Sequence, residues 1–409
     1  MKEVLIVGGG VIGLSIGHYL SKGGHAVRII ERDPELENSC SSGNAGMIVP
    51  SHFIPLAAPG VISQGLKWML DPKSPFFLRP RLDTELARWI WLFMRHSNPK
   101  HVAKSEPLLR DLSLISRKLH LELAREEKFP LIDKGLLMLC QTQKGLDEEA
   151  EVVESAHRLG LEAELINSSR IAELEPHADI NAIGGVLFPQ DCHLDPSDFT
   201  RALRQSITRN GGEFIHDEAE FINKKGIRTK SGATHHADTT ILAGGISSVD
   251  LARQLDLKLP MQGGKGYSLT LPKPLHNPRL CSLLKEGRVA VTPMGDQLRV
   301  AGTMEICGKD TSISKPRLQG VIESFCSFYP EFNPQEFAGL DPWVGLRPCS
   351  PDGLPYLGKA PGRDDVIIAT GHSMMGLSLA PVTGRIVADL VEEKEPSIKI
   401  RAITPERFG

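Results

Sequence analysis

What the chain lacks narrows it quickly. It has no C-x-x-C pair, and its seven cysteines (Cys40, Cys140, Cys192, Cys281, Cys307, Cys326, Cys349) are scattered and odd in number. That pattern argues against a disulfide framework and a zinc site, and for reduced thiols in a cytoplasmic setting. Aromatic residues make up only 5%, too few to suggest a base-stacking platform. A formal net charge of −3 gives no reason to expect nucleic acid or a broad anionic surface as partner. No apolar run looks long enough to span a bilayer. The first strand starts almost at Met1, without a basic segment ahead of it or a small-residue cleavage site, so no secretory leader is expected. Residues 5–14 imitate a short signal core, but their glycines fit a nucleotide turn better. Low-complexity segments and internal repeats are also missing.

What is present begins at once. At 409 residues, 41% hydrophobic and 24% charged, the chain can bury a large core and is expected to form two domains. Val4, Leu5, Ile6 and Val7 read as a buried parallel strand. Gly8, Gly10 and Gly13 then form a G-x-G-x-x-G, with a helical pattern starting inside it at Ile12. A second strand, residues 26–30, ends at Glu31, followed by the polar Arg32-Asp33-Pro34-Glu35. The first glycine permits a tight turn, the second lets backbone approach a pyrophosphate, and the third lets helix pack on strand. The helix N-terminus offers unpaired N–H groups to phosphate, and Glu31 can accept from ribose hydroxyls. Strand, turn, helix, strand and acid in this order are the context that the motif requires.

Further on, residues 39–47 are rich in Ser, Gly and Asn, suited to a ligand-approaching loop or simply a solvated one. Residues 50–80 are proline-rich and irregular. Residues 82–96 read as a helix apolar on several faces, which fits a core helix, with a membrane-surface contact as the sharper reading. Residues 105–129 form an amphipathic helix. Asp195 is placed as a cap and Pro196 in the first turn of the helix that follows. Strands are expected at 134–141, 184–189, 213–216, 219–222 and 238–243. Residues 258–302 alternate as an antiparallel sheet, and 314–328 return to helix. Near the end, residues 345–355 read as a pair of tight turns and 366–370 as a buried strand. Residues 371–376 form a second glycine loop feeding a helix, in which Pro381 is tolerable if it lies near the first turn.

Taken together, these stretches resemble the flavin-dependent D-amino acid oxidase superfamily, and within it the D-amino acid dehydrogenase branch. The resemblance rests on the opening glycine motif, Asn44-Ala45-Gly46, residues 57–60 with 67–69, Leu194-Asp195-Pro196 and residues 265–270. It continues through residues 299–302, Gly345-Leu346-Arg347-Pro348 with Pro351-Asp352-Gly353, and Gly371-His372 with Met375-Gly376. The phrase at 371–381 is similar to glycine oxidases and D-hydroxyproline dehydrogenases. The resemblance implies an α/β fold: a Rossmann-like FAD-binding domain from 1–50, 193–250 and 345–409. An inserted α+β substrate domain with an antiparallel sheet would come from 51–192 and 251–344. It implies non-covalent FAD, held by Gly8, Gly10, Ile12, Gly13, Glu31 and Arg32 at the pyrophosphate and ribose. Ser41, Ser42, Asn44, Ala45, Gly46 and Met47 would run along phosphate and flavin. Ala219 would meet adenine, Gly244 would lie by the cofactor, and Gly371, Met375, Gly376 and Leu377 would sit against the ring. A helix N-terminus near Gly376 would aim its positive end where charge develops on flavin reduction.

The implied reaction is dehydrogenation of a small or cyclic D-amino acid, such as D-proline or D-hydroxyproline. Hydride would leave Cα for flavin N5 and electrons would pass to a quinone or respiratory chain. Arg347 is the expected carboxylate-binding residue, since arginine offers a bidentate fork. Tyr267 is a candidate second substrate contact through its phenol, or a core tyrosine. His52 is a candidate pocket residue, and His372 is expected to order its loop. A glycine/sarcosine-type oxidase using oxygen is the alternative. Glycine oxidases usually carry an arginine in the closing loop where Met374 stands. A cytoplasmic location is expected, with peripheral contact at the inner membrane face as a variant.

Overall fold

The computed structural model describes residues 1–35, 39–69, 71–224 and 226–408. Glu3–Val7 is buried from Val4 onward, and an apolar strand of this kind must sit between other strands. It takes Ala26–Glu31 on one side and Thr239–Leu242 on the other, both parallel. Glu213–His216 and Arg363–Thr370 extend the parallel run, and Tyr356–Ala360 closes it antiparallel, giving a six-stranded sheet. Parallel neighbours share one carboxyl edge. The turns after Val7, Glu31, Leu242 and Thr370 therefore open on the same side, where α/β sheets bind ligands.

Two helices from opposite ends of the chain meet beside this sheet, Val11–Lys22 and Gly376–Val391. Gly384 is what lets them approach. A Cβ there would lie 2.7 Å from the Ser15 backbone and 2.8 Å from the ring of Tyr19. The long helix Pro99–Glu127 packs on the closing helix as well. By length and composition Ser373–Val391 could cross a membrane, contrary to the sequence reading, but most of it is buried inside the protein.

The second layer is a nine-stranded sheet that runs from Trp343–Cys349 through Gln262–Pro272, Gln297–Ile306, Val289–Met294, Cys281–Leu284, Leu136–Cys140 and Gly184–Phe188 to Glu164–Asn167. Phe76–Leu78 also pairs with Gln297–Ile306. It is largely antiparallel, with parallel pairs at 281–284/136–140 and 297–306/76–78. The fold is thus mixed α/β, with a Rossmann-like sheet and a second, largely antiparallel one.

Several local readings change. Residues 345–349 are strand, not turn, and Pro348 is accommodated because Trp343–Cys349 lies at the end of the sheet order, where a missing N–H breaks no second ladder. This strand also crosses the boundary expected at residue 345. The long helix starts at Pro99, ahead of Ser105, because the Asn98 side chain caps it by accepting from His101 N–H. Pro381 is the sixth residue of its helix, beyond the first turn. Asp83 and Asp195 cap their helices, the second as expected.

One buried cation locks the register of the second sheet. Lys265 is 2% exposed, with Nζ 2.9 Å from Asp310 Oδ2, 3.6 Å from Glu305 Oε2 and 2.6 Å from the Ser312 carbonyl. Lys265→Met should therefore cost roughly 3 kcal/mol in urea unfolding, since it strips buried carboxylates of a partner; a variant within 0.5 kcal/mol of wild type, about the scatter of a neutral surface change, would contradict this.

Candidate active site

The cleft on the carboxyl edge of the first sheet encloses about 410 Å³. Its floor is the glycine turn. Gly8 has φ +107°, and a Cβ on it would meet the Ala243 carbonyl at 2.6 Å. At Gly13 a Cβ would lie 1.9 Å from the Gly8 carbonyl, so helix and turn touch only because both positions are bare. Gly8, Gly10 and Ile12 line the cleft, while Gly13 lies behind it as the packing glycine. Ser41 Oγ accepts from Val11 N–H at 3.0 Å. Glu31 is fixed from its own strand tip, accepting from Gly9 N–H at 2.6 Å and Asp33 N–H at 2.9 Å. Each carboxylate oxygen keeps a lone pair for a further donor. Arg32, Ala219 and Gly244 also line the cleft.

The loop after Glu31 is held from the second sheet. Arg299, 8% exposed, donates from Nη1 to the carbonyls of Ser42 at 3.1 Å and Asn44 at 2.8 Å. Burial pushes its pKa down, though Asp195 opposes this. Asn44 Oδ1 accepts from Gly46 N–H at 2.8 Å in a local turn. Ser41 and Asn44 line the cleft, whereas Ser42, Ala45, Gly46 and Met47 do not. Gly46 packs instead on the Leu194 carbonyl, 2.2 Å from where a Cβ would be. Met47 pairs with His193, and its carbonyl accepts from Ser378 Oγ at 3.2 Å.

The opposite wall comes from the end of the chain. His372, Ser373, Met374, Gly376 and Leu377 line it, so the N-terminus of the closing helix faces the cleft. His372 is buried and held neutral, its pKa pushed down to about 3 by burial. Its Nε2 lies 3.0 Å from Thr383 Oγ1, so it orders the loop as expected. An isolated backbone bridge joins His372 to Cys349, on the strand that carries Arg347. Gly371 and Met375 do not line the cleft; Gly371, at φ +76°, makes room for the ring of Tyr356.

Arg347 lines the cleft, and its surroundings are built around it. Gly266 lies beneath the guanidinium: a Cβ there would be 2.2 Å from Nη1. Nη1 donates to the Thr303 carbonyl at 2.9 Å. Thr303 sits at a bulge where the pairing of Gln262–Pro272 with Gln297–Ile306 slips, and has φ +68°. A β-branched residue there is a strained outlier of the kind found at binding sites. Among the described residues Arg347 makes no ion pair and no other hydrogen bond.

Two sequence candidates fall elsewhere. Tyr267 is 1% exposed, and its hydroxyl donates to Glu305 and accepts from Ser314 N–H at 3.0 Å. The phenol is a satisfied core group, so its expected substrate contact is withdrawn. His52 does not line the cleft. Its Nδ1 is 3.2 Å from Ser51 Oγ, which donates to Asp191 at 2.5 Å. Burial and then Arg288 push the His52 pKa down to about 4, and burial raises that of Asp191 to about 7. Sequence reasoning missed Thr303, and also Ser248 and Thr311, which line the cleft. Ser248 follows the glycines after residue 242 and could have been found from them; Thr311 carries no local signal.

The profile of the DAO family, described as FAD dependent oxidoreductase, matches residues 3–390. The chain belongs to that family. As an FAD-dependent oxidoreductase it is similar to the D-amino acid dehydrogenase of Granulibacter bethesdensis, 31% identical over 419 aligned residues with 100% of each chain covered. It is also 30% identical to that of Helicobacter pylori, covering 96% of this chain and 95% of the relative. Among solved structures it resembles glycine oxidase from Geobacillus kaustophilus, with TM-score 0.80, 25% identity and coverage of 99% and 98%. L-proline dehydrogenase from P. horikoshii shares the fold, with TM-score 0.72, 19% identity and coverage of 100% and 97%. The cleft fits FAD on its own terms. Bare glycines cradle the turn, Glu31 stands at the strand tip, and Ser248 Oγ is buried on the wall without a hydrogen-bond partner among the described residues.

Three buried histidines and the half-buried His52 are held neutral chiefly by desolvation: His52, His120 and His193 have pKa values near 4, and His372 near 3. Unfolding frees them to protonate near 6.5, so the unfolded state binds more protons and stability is lost as pH falls from about 6.5 to 4. Asp191, raised to about 7, has the opposite sign but is a single group. The urea midpoint should therefore drop between pH 7 and pH 4.5; an unchanged midpoint would show that these rings are not buried neutral.

Proposed function

We propose that this FAD-dependent oxidoreductase dehydrogenates a small or cyclic D-amino acid, with D-proline and D-hydroxyproline the first substrates to try. The single observation that carries the reading is Arg347: a guanidinium on the cleft wall, oriented through the Thr303 carbonyl, with no protein carboxylate paired to it. A half-buried, unpaired arginine fork is suited to a substrate carboxylate. Full-length similarity to D-amino acid dehydrogenases supports the substrate class.

FAD, when bound, supplies the acceptor for the hydride from substrate Cα. The protein's part is positioning. Arg347 anchors the carboxylate and thereby the attached Cα, while Gly266 leaves the space in which the fork turns. The substrate loses a hydride from Cα and a proton from nitrogen, giving an imine that water hydrolyses to the keto acid; a cyclic imine persists. His52, neutral above about pH 4, adds no second positive charge near neutral pH. FAD is read as non-covalent: Cys349 is off the cleft wall, with its thiol raised to about 12 by burial, and burial also raises the pKa of Cys40, the cysteine that does line the cleft.

Electrons are proposed to pass to a membrane quinone or respiratory chain, with the protein in the cytoplasm and in peripheral contact with the bilayer. The support is a patch on and before the helix Thr84–His96, where Trp91 and Met94 are each 57% exposed and Leu82 is fully exposed. Trp at such a surface suits a membrane interface. Cosedimentation with anionic lipid vesicles should fall on Trp91→Ser/Met94→Ser; equal binding by both proteins would remove this patch from the role.

The decisive assay is anaerobic. D- and L-forms of proline, hydroxyproline and alanine, together with glycine and sarcosine, are mixed with the holoenzyme while flavin absorbance is followed. Bleaching by D-forms is expected, and bleaching by L-forms alone would overturn the assignment. Rapid peroxide release in air with glycine or sarcosine would instead favour an oxidase. Arg347→Ala should retain FAD and raise KM roughly a hundredfold. Gly266→Ala should raise KM in the same direction, because the displaced atom is the free end of a side chain. Normal KM in both would take Arg347 out of the carboxylate role.

A further inference from the structure

The closing helix contains a defect, and the long helix repairs it. Pro381 has no N–H, so the Leu377 carbonyl one turn earlier loses its intrahelical donor. That carbonyl lies in the turn whose residues Gly376 and Leu377 line the FAD cleft. His120 of the helix Pro99–Glu127 supplies the missing donor: its Nε2 is 3.0 Å from the Leu377 carbonyl. The ring is fully buried, and burial pushes its pKa down to about 4 although the Leu377 and Ser378 carbonyls pull the other way. It is therefore a neutral donor with its hydrogen on Nε2, and its Nδ1 has no partner among the described residues. One turn earlier on the same face, Ser116 Oγ accepts from Val382 N–H at 3.4 Å, the residue after the proline. Two side chains at i and i+4 thus bracket the break from outside.

We infer that His120 is a positioning residue for the flavin, acting through the Leu377 carbonyl to keep the first turn of the closing helix formed despite Pro381. The N-terminus of that helix presents the positive end of its dipole to the cleft, and the dipole exists only if the first turn is helical. A buried carbonyl left without a donor keeps its full desolvation cost, which lets the turn unwind. Ser378 in the same turn also accepts from Val49 N–H at 3.1 Å and donates to the Met47 carbonyl, so unwinding would loosen the neighbouring strand too. The inference holds whatever the substrate is.

The test uses FAD affinity and flavin midpoint potential, neither of which needs turnover. His120→Leu should bind FAD roughly tenfold more weakly, the equivalent of one such hydrogen bond. Its midpoint potential should shift to a more negative value, since a weakened positive end favours reduced flavin less. His120→Gln, which can donate from its amide, should restore most of both. Pro381→Ala returns the backbone donor, so adding His120→Leu in that background should cost little. An equal loss of affinity with and without Pro381→Ala, or an unchanged affinity and potential in His120→Leu, would overturn the assignment. Should His120→Leu not fold alone, recovery of folded, FAD-binding protein in the double variant supports the inference and failure there refutes it.

Discussion

Gly384 and Ser15 come from opposite ends of the chain, and the rest of the molecule depends on how closely they sit. With no side chain at 384, the closing helix lies directly on the backbone of the opening helix. That contact sets the distance between the glycine turn after Val7 and the loop before Gly376, the two walls of the cleft. A third helix, Pro99–Glu127, comes from the long stretch between them and presses on the closing helix. The cofactor cleft is thus a product of helix packing as much as of strand order.

Two cations one register position apart on neighbouring strands show how the same sheet serves different ends. Lys265 is buried among Glu305, Asp310 and a carbonyl and is fully partnered. Arg347, on the adjacent strand opposite Gly264 with its guanidinium over Gly266, meets one carbonyl and no acid. The first arrangement fixes register; the second leaves charge available. The bulge at Thr303 connects them: its own carbonyl orients Arg347, and Glu305, two residues on, pairs with Lys265. Strain at one β-branched residue is tolerated because the adjoining pair, Lys265 with Glu305, is anchored by buried charge.

Much of this was legible because its causes are local. The glycine turn, Glu31 and the Asp195–Pro196 start of a helix each carry their reason within a few residues. The resemblance brought Arg347 and the loop at 371–377 forward, and the structure sets Arg347 and most of that loop, though not Gly371 or Met375, on the cleft. What stayed hidden depends on partners far away in sequence. Tyr267 looked free to meet a substrate until Glu305, 38 residues on, took its hydroxyl. Residues 345–349, with a glycine and a proline, looked like a turn; only an edge position makes them strand. A threonine in the left-handed region has no sequence signature, and neither does a histidine whose task is to repair a proline in another helix.

The backbone bridge between Cys349 and His372 joins the strand of Arg347 to the loop that faces the cofactor. Neither can be displaced without pulling on the other. The two cleft walls are therefore coupled through backbone, a link that side-chain substitutions on either wall leave in place.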